Sequence, residues 1–280
     1  MILDYIDKEW IDNRINIEQN LIRKNTSDIS IKTDNYMLQR NLAILALHHK
    51  ELALFLYASV GLNRETIYHF KIASDIYLKM IDLRKQGFVP QQIIKFDAGD
   101  LPWAISPEKN PEKFAPDYSL TNSKYSLQYI SCAFISNEKE IANSLIRNTW
   151  DPINASYVGL NSEVCTFNEH YFAYAIQELW NGNKDICMKY INNVIPANFN
   201  TELQKKLITS IVEDNKQLFL DFMKMLIKDH AVNAYLQKNH KNPDFFLCMT
   251  SFIYCAIAIR LNLISSIDLE FDSPFFPNIF

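Results

Sequence analysis

Glycine is scarce in this chain, with 5 residues in 280. A sheet protein needs many tight turns at positive φ, and phosphate-cradling loops are built on glycine, so neither is expected here. Cysteine is just as sparse. Cys132, Cys165, Cys187, Cys248 and Cys255 are odd in number, widely spaced and set in apolar text. They read as small buried hydrophobes in a reducing compartment and not as a disulfide framework. Positive charge is not in excess either, since Lys and Arg number 28 against 32 Asp and Glu, for a net charge of −4 and a pI near 5.9. That balance supplies no long-range pull toward nucleic acid or an anionic membrane. A Gly-x-Ser-x-Gly elbow and the two-histidine zinc-protease pattern are both missing, so no catalytic residue, metal ligand or cofactor is expected. The opening Met1–Lys8 has neither a basic leader nor a continuous apolar stretch, so a secretory signal is not expected and the expected location is cytoplasmic.

What is present is helical text, with 48% hydrophobic residues to fill a core. Apolar positions at three- and four-residue steps predict helices over about 4–24, 34–60, 64–86, 201–214 and 216–236. Gly61 and Gly87 stand where helices stop. The most apolar stretch lies near the end. Asn242-Pro243-Asp244 reads as a helix start, and no charged residue follows between Phe245 and Ile259. Such a run is shorter than the ~20 residues of a membrane span, so a single helix over 242–263, buried on all sides, is predicted at the centre.

Two helical hairpins precede it, 125–146 around Ser136-Asn137-Glu138 and 172–191 around Asn181-Gly182-Asn183. Shifted by about 45 residues they align without a gap, Phe134 on Leu179, Ile135 on Trp180, Lys139 on Lys184 and Ile146 on Ile191, a spacing typical of stacked helical hairpins. Between Gly87 and Tyr118 the period vanishes, and Pro90, Pro102, Pro107, Pro111 and Pro116 make up half of the 10 prolines. The fold class expected is therefore all-α, a multi-helix bundle of stacked antiparallel hairpins with a long irregular Pro-rich insertion. It forms a single domain over 1–280, with sub-lobes at 1–88 and 118–280 joined by 89–117.

Few side chains stand out as functional. His48-His49 followed by Glu51 invites a metal, but adjacent helical histidines diverge by about 100° and the reading is left as ordinary structure. His170 beside Glu169 and His230 beside Asp229 are read the same way. Two acidic regions remain as candidate partner-binding surfaces: Asp97, Asp100 and Trp103 in the Pro-rich segment, and Asp268, Glu270 and Asp272 in a tail whose phenylalanines look exposed. Acidic groups beside an aromatic anchor suit an interface with a basic partner. The plainer alternative is a solvated loop and a tail folded onto the core.

The hairpin over 171–194, built on Ala173-Tyr174-Ala175-Ile176 and the turn Asn181-Gly182-Asn183, resembles the immunity protein 49 family. So does the chain's end, with Cys255-Ala256-Ile257-Ala258-Ile259-Arg260-Leu261 followed by an extended stretch and a closing Phe-Pro-x-x-Phe at 276–280. The resemblance implies an all-helical, non-enzymatic cytoplasmic immunity protein that holds a cognate toxin inactive. The toxin expected is basic, such as a nuclease, and the chain itself is expected to contact neither nucleic acid nor membrane. The alternatives are a helical-repeat adaptor binding a peptide or regulatory protein along a groove, and an enzyme of another kind.

Overall fold

In the computed structural model, residues 6–31, 35–88, 91–93, 110–116, 121, 123–148, 164–236, 241–277 and 279 are described. Ten α-helices run through them: α1 (Lys8–Ile31), α2 (Asn35–Val60), α3 (Arg64–Lys85), α4 (Ser123–Ile135), α5 (Lys139–Asn148), α6 (Val164–Trp180), α7 (Lys184–Asn192), α8 (Phe199–Val212), α9 (Lys216–Leu236) and α10 (Met249–Arg260). The all-α class is therefore correct.

Five of these helices stop in one way. The residues at the stops of α3, α4, α6, α8 and α10 are Gly87, Asn137, Gly182, Asp214 and Asn262, all with positive φ between 53° and 89°. In each case the stop residue donates back to the carbonyl three residues earlier, and the next residue donates to the carbonyl five earlier. Examples are Gly182 to Leu179 at 3.0 Å with Asn183 to Glu178 at 2.8 Å, and Asn137 to Phe134 at 3.0 Å with Glu138 to Ala133 at 2.8 Å. This double bond satisfies carbonyls that the helix end leaves open. Asparagine and aspartate, which tolerate the left-handed region better than most residues, do here what glycine does elsewhere. The hairpins α4/α5 and α6/α7 thus share the same turn at matching positions, and α8/α9 turns the same way at Asp214.

Turns this short force consecutive helices antiparallel. The helix α2 lies between α1 and α3, and α3 leans on α4 and α5. Its segment Leu38–Val60 is long and apolar enough to cross a membrane by composition, and here 61% of the apolar window is buried inside the bundle. At the middle sit α4 and α10, which pack on each other; α10 also touches α6, α8 and α9. Nine of its residues from Met249 to Ala258 are buried, among them Phe252, Tyr254 and Cys255. Each large apolar side chain removed from water there contributes about 2 kcal/mol. One contiguous apolar cluster runs from Ile6 to Phe276.

Two expectations need correction. The stretch 242–263 is not one helix: Pro243–Phe245 forms a 3-10 turn capped by Asn242, and α10 begins only at Met249. The break is made from outside the segment, because the Cys248 N–H donates to the Phe275 carbonyl at 2.9 Å and Phe246 and Leu247 are buried. The Pro-rich insertion is not irregular throughout either. Its two flanks pair as a short antiparallel ribbon, β1 (Gln91–Ile93) on β2 (Phe114–Pro116), with Gln92 opposite Ala115.

Candidate functional site

A broad concavity lies between the α4/α5 hairpin and the ends of α6 and α10, a groove of about 900 Å3. Its floor is Trp180, the last residue of α6, packed on Phe134 with ring centroids 5.6 Å apart. The indole is fixed by its Nε1–H, which donates to Asn143 Oδ1 at 3.0 Å. Above it lies the Arg260 guanidinium, 4.4 Å from the ring centroid, while Arg260 Nε donates to the Trp180 carbonyl at 3.1 Å. The cation–π contact and one directed bond together hold the guanidinium in place. Its two terminal amino groups are left without a hydrogen bond or ion pair among the described residues.

The wall is formed by α5. Lys139 and Arg147 line the groove, both exposed and with side chains making no hydrogen bond or ion pair among the described residues. Against these three cations the lining carries one carboxylate among the described residues, Glu140. Gln177 on α6 closes the far end of α5 by donating to the Ile146 and Arg147 carbonyls at 3.1 and 3.2 Å. Asn137 and Asn262, the stops of α4 and α10, also line the groove.

A second cluster joins α1 to α2. Arg14 Nη2 lies 2.6 Å from Glu18 and 3.8 Å from Glu51, and His48 Nδ1 is 2.7 Å from the other Glu18 oxygen. Ligand atoms of Glu18, His48 and Glu51 fall within 4.8 Å of one another, a spacing that could hold a metal ion. Burial first, then the neighbouring Glu18 charge, raises the Glu51 pKa from its ordinary value. Arg14 supplies the positive charge that this buried pair needs, so the cluster reads as a latch between helices. The divergence expected of His48 and His49 is seen: His49 turns instead to His69 on α3, with Nδ1 atoms 2.8 Å apart. Burial, then the charges of His69 and His48, lower the His49 pKa to about 4. His170 pairs with Ser123 Oγ at 2.9 Å, and His230 with the Phe245 carbonyl at 3.0 Å.

Of the acidic positions singled out in the sequence, Asp97, Asp100 and Trp103 lie outside the described residues. Asp268 is engaged locally. It accepts from Lys216 at 2.8 Å and from the Ser265 N–H and hydroxyl, and those bonds hold its carboxyl down to about 2. Glu270 and Asp272 are exposed, and they share a concavity of about 470 Å3 with Lys224 and Lys228. The tail phenylalanines are not exposed: Phe275 and Phe276 are each 1% accessible, Phe276 stacks on Phe252 at 4.7 Å, and Phe271 is half-buried. The tail is folded onto the core.

Reading the sequence missed the groove cations. The available signal was Trp180, standing where the aligned hairpin has Ile135. No protein-family model matches this chain, and no curated protein or solved structure matches it.

Proposed function

We propose that this chain works by covering another protein, as an immunity protein that binds a toxin domain and holds it inactive without turning over a substrate. The observation that carries the protein-binding part is the groove on the hairpin array, where a rigid aromatic–guanidinium pair is flanked by unpaired cations. Trp180 is already buried, and the exposed Arg260 held over it is of the residue type that most often anchors a protein interface. The toxin part comes from the likeness of the hairpin at Asn181-Gly182-Asn183 and of the closing Phe-Pro-x-x-Phe to the immunity protein 49 family. Glu270 and Asp272 are exposed but lie beside Lys224 and Lys228, so that face is charge-balanced and is not the acidic surface a basic partner would seek.

The groove also favours a second reading, a helical-hairpin adaptor that takes a segment of a regulatory partner, because asparagine and arginine line it where two hairpins meet. Co-expression with the toxin encoded by a neighbouring gene separates the two. Restored growth and a complex that survives gel filtration support the immunity reading. Capture of a partner without protection supports the adaptor, and if neither result is obtained the protein-binding reading falls.

A further inference from the structure

Resting on the protein-binding reading, the geometry points to the class of ligand this groove takes: an extended acidic peptide segment, one carboxylate of which bridges both terminal amino groups of Arg260. The local charge is the first reason. The whole protein carries −4, yet the groove lining has three cations to one carboxylate. Since Lys139 and Arg147 make no ion pair among the described residues, their positive potential can act on a ligand.

The second reason is the state of Arg260. Its Nε is committed to the Trp180 carbonyl and its guanidinium carbon lies over the indole, 4.4 Å from the ring centroid. That leaves one planar edge with two parallel donors, the fork that a carboxylate accepts in bidentate fashion. Little side-chain entropy is lost on binding, because the rotamer is already fixed.

Spacing and apolar wall make the ligand a peptide. Lys139 and Arg147 lie two helical turns apart on α5, about 12 Å along the axis, which is the span of about four residues of extended chain. Phe134, Ile259 and Ile264 give the remaining wall an apolar surface for alternate side chains. A free phosphate has no use for that wall, and a nucleic acid meets a protein whose net charge repels it.

The test uses fluorescence anisotropy of a fluorescein-labelled octapeptide alternating glutamate and leucine, with a lysine–leucine octapeptide, a glutamine–leucine octapeptide and inorganic phosphate beside it. The acidic peptide is expected to bind alone among the three peptides and to weaken several-fold as salt is raised. Arg260→Ala and Arg260→Lys are each expected to weaken it tenfold or more, because lysine cannot form the fork. Lys139→Glu with Arg147→Glu, both at exposed and unbonded positions, serves where an Arg260 variant loses its native circular dichroism. Equal binding of the neutral peptide, unchanged affinity in the double variant, or full displacement by phosphate overturns the assignment. A captured partner protein whose complex survives the double variant also overturns it while leaving protein binding intact, whereas failure to capture any partner counts against the wider reading.

Discussion

His230 ties α9 to the turn before α10 and to the tail, and its proton should make stability depend on pH. Its Nε2–H donates to the Phe245 carbonyl at 3.0 Å, and its ring lies 5.4 Å from that of Phe275. Burial lowers its pKa to about 4, outweighing the Phe245 bond and the charges of Asp229 and Asp244, which pull it upward. In the unfolded chain the same ring titrates near 6.5. The unfolded state therefore takes up a proton first as pH falls, so the stability is full above about pH 6.5 and drains away toward pH 4. By linkage the loss is about 2 kcal/mol at pH 5 and about 3 kcal/mol at pH 4. His49, also lowered to about 4, adds a similar slope, so the measurement has to be a difference. His230→Gln retains a donor for the Phe245 carbonyl and has nothing to titrate. Urea unfolding of both proteins, followed by circular dichroism at pH 7, 6 and 5, should show the variant gaining about 2 kcal/mol on the natural protein between the first and last values. A difference that stays constant with pH, or a His230 ring proton that titrates near 6.5 in the folded protein by NMR, would refute the reasoning.

The helix stops and the buried lysine give two further tests. Asn137→Val or Gly182→Val places a β-branched residue at φ 59° or 84° and should cost about 1–2 kcal/mol by urea midpoint, while Asn137→Gly should cost nothing. Nothing lies within 4 Å of a Cβ at Gly182, so the loss there belongs to the backbone alone, and a Gly182→Asn variant should recover most of it. Lys50 is 3% exposed and donates to Gln128 and Asp244 at 2.9 and 3.0 Å. Asp244→Asn strands a buried cation and should cost about 3 kcal/mol, whereas Lys50→Met leaves a half-exposed carboxylate that water can reach and should cost under about 1 kcal/mol. Equal losses would mean that the pair is not held by burial of the lysine.

Much of the helical framework could be read from period alone. The expected segment 216–236 coincides with α9, and the aligned turns at Asn137 and Gly182 prove to be the same hydrogen-bonded stop. Where the reading failed, the missing information was held by distant residues. The run 245–259 is apolar on every side, so it has no periodic mark at which to break. The break comes from a bond to Phe275, nearly thirty residues on. The tail phenylalanines looked exposed because they follow prolines and acids; their burial depends on Phe252, Tyr235 and Tyr57, whose hydroxyl donates to the Pro274 carbonyl. The latch between α1 and α2 was half visible as His48 and Glu51, but Glu18 and Arg14 come from a different helix. Groove cations are hard to single out in a chain with 28 basic residues. What distinguishes Arg260 is the indole beneath it, 80 residues earlier.

The shortage of glycine and the make-up of the groove follow from one choice of residue. A helix that must stop within one residue needs a position of positive φ, and glycine fills it at the lowest strain. This chain uses asparagine at Asn137 and Asn262 instead, accepting a small backbone cost at each. Both are exposed and both line the groove. A glycine at either place would end the helix equally well and leave a bare backbone, whereas asparagine sets an amide beside the Arg260 and Trp180 pair. That amide can donate to or accept from the main chain of whatever is bound. Of the five stops, two are thus gathered at the groove. On the proposed reading, residues that end helices are thereby brought to the place where a partner's backbone would be met.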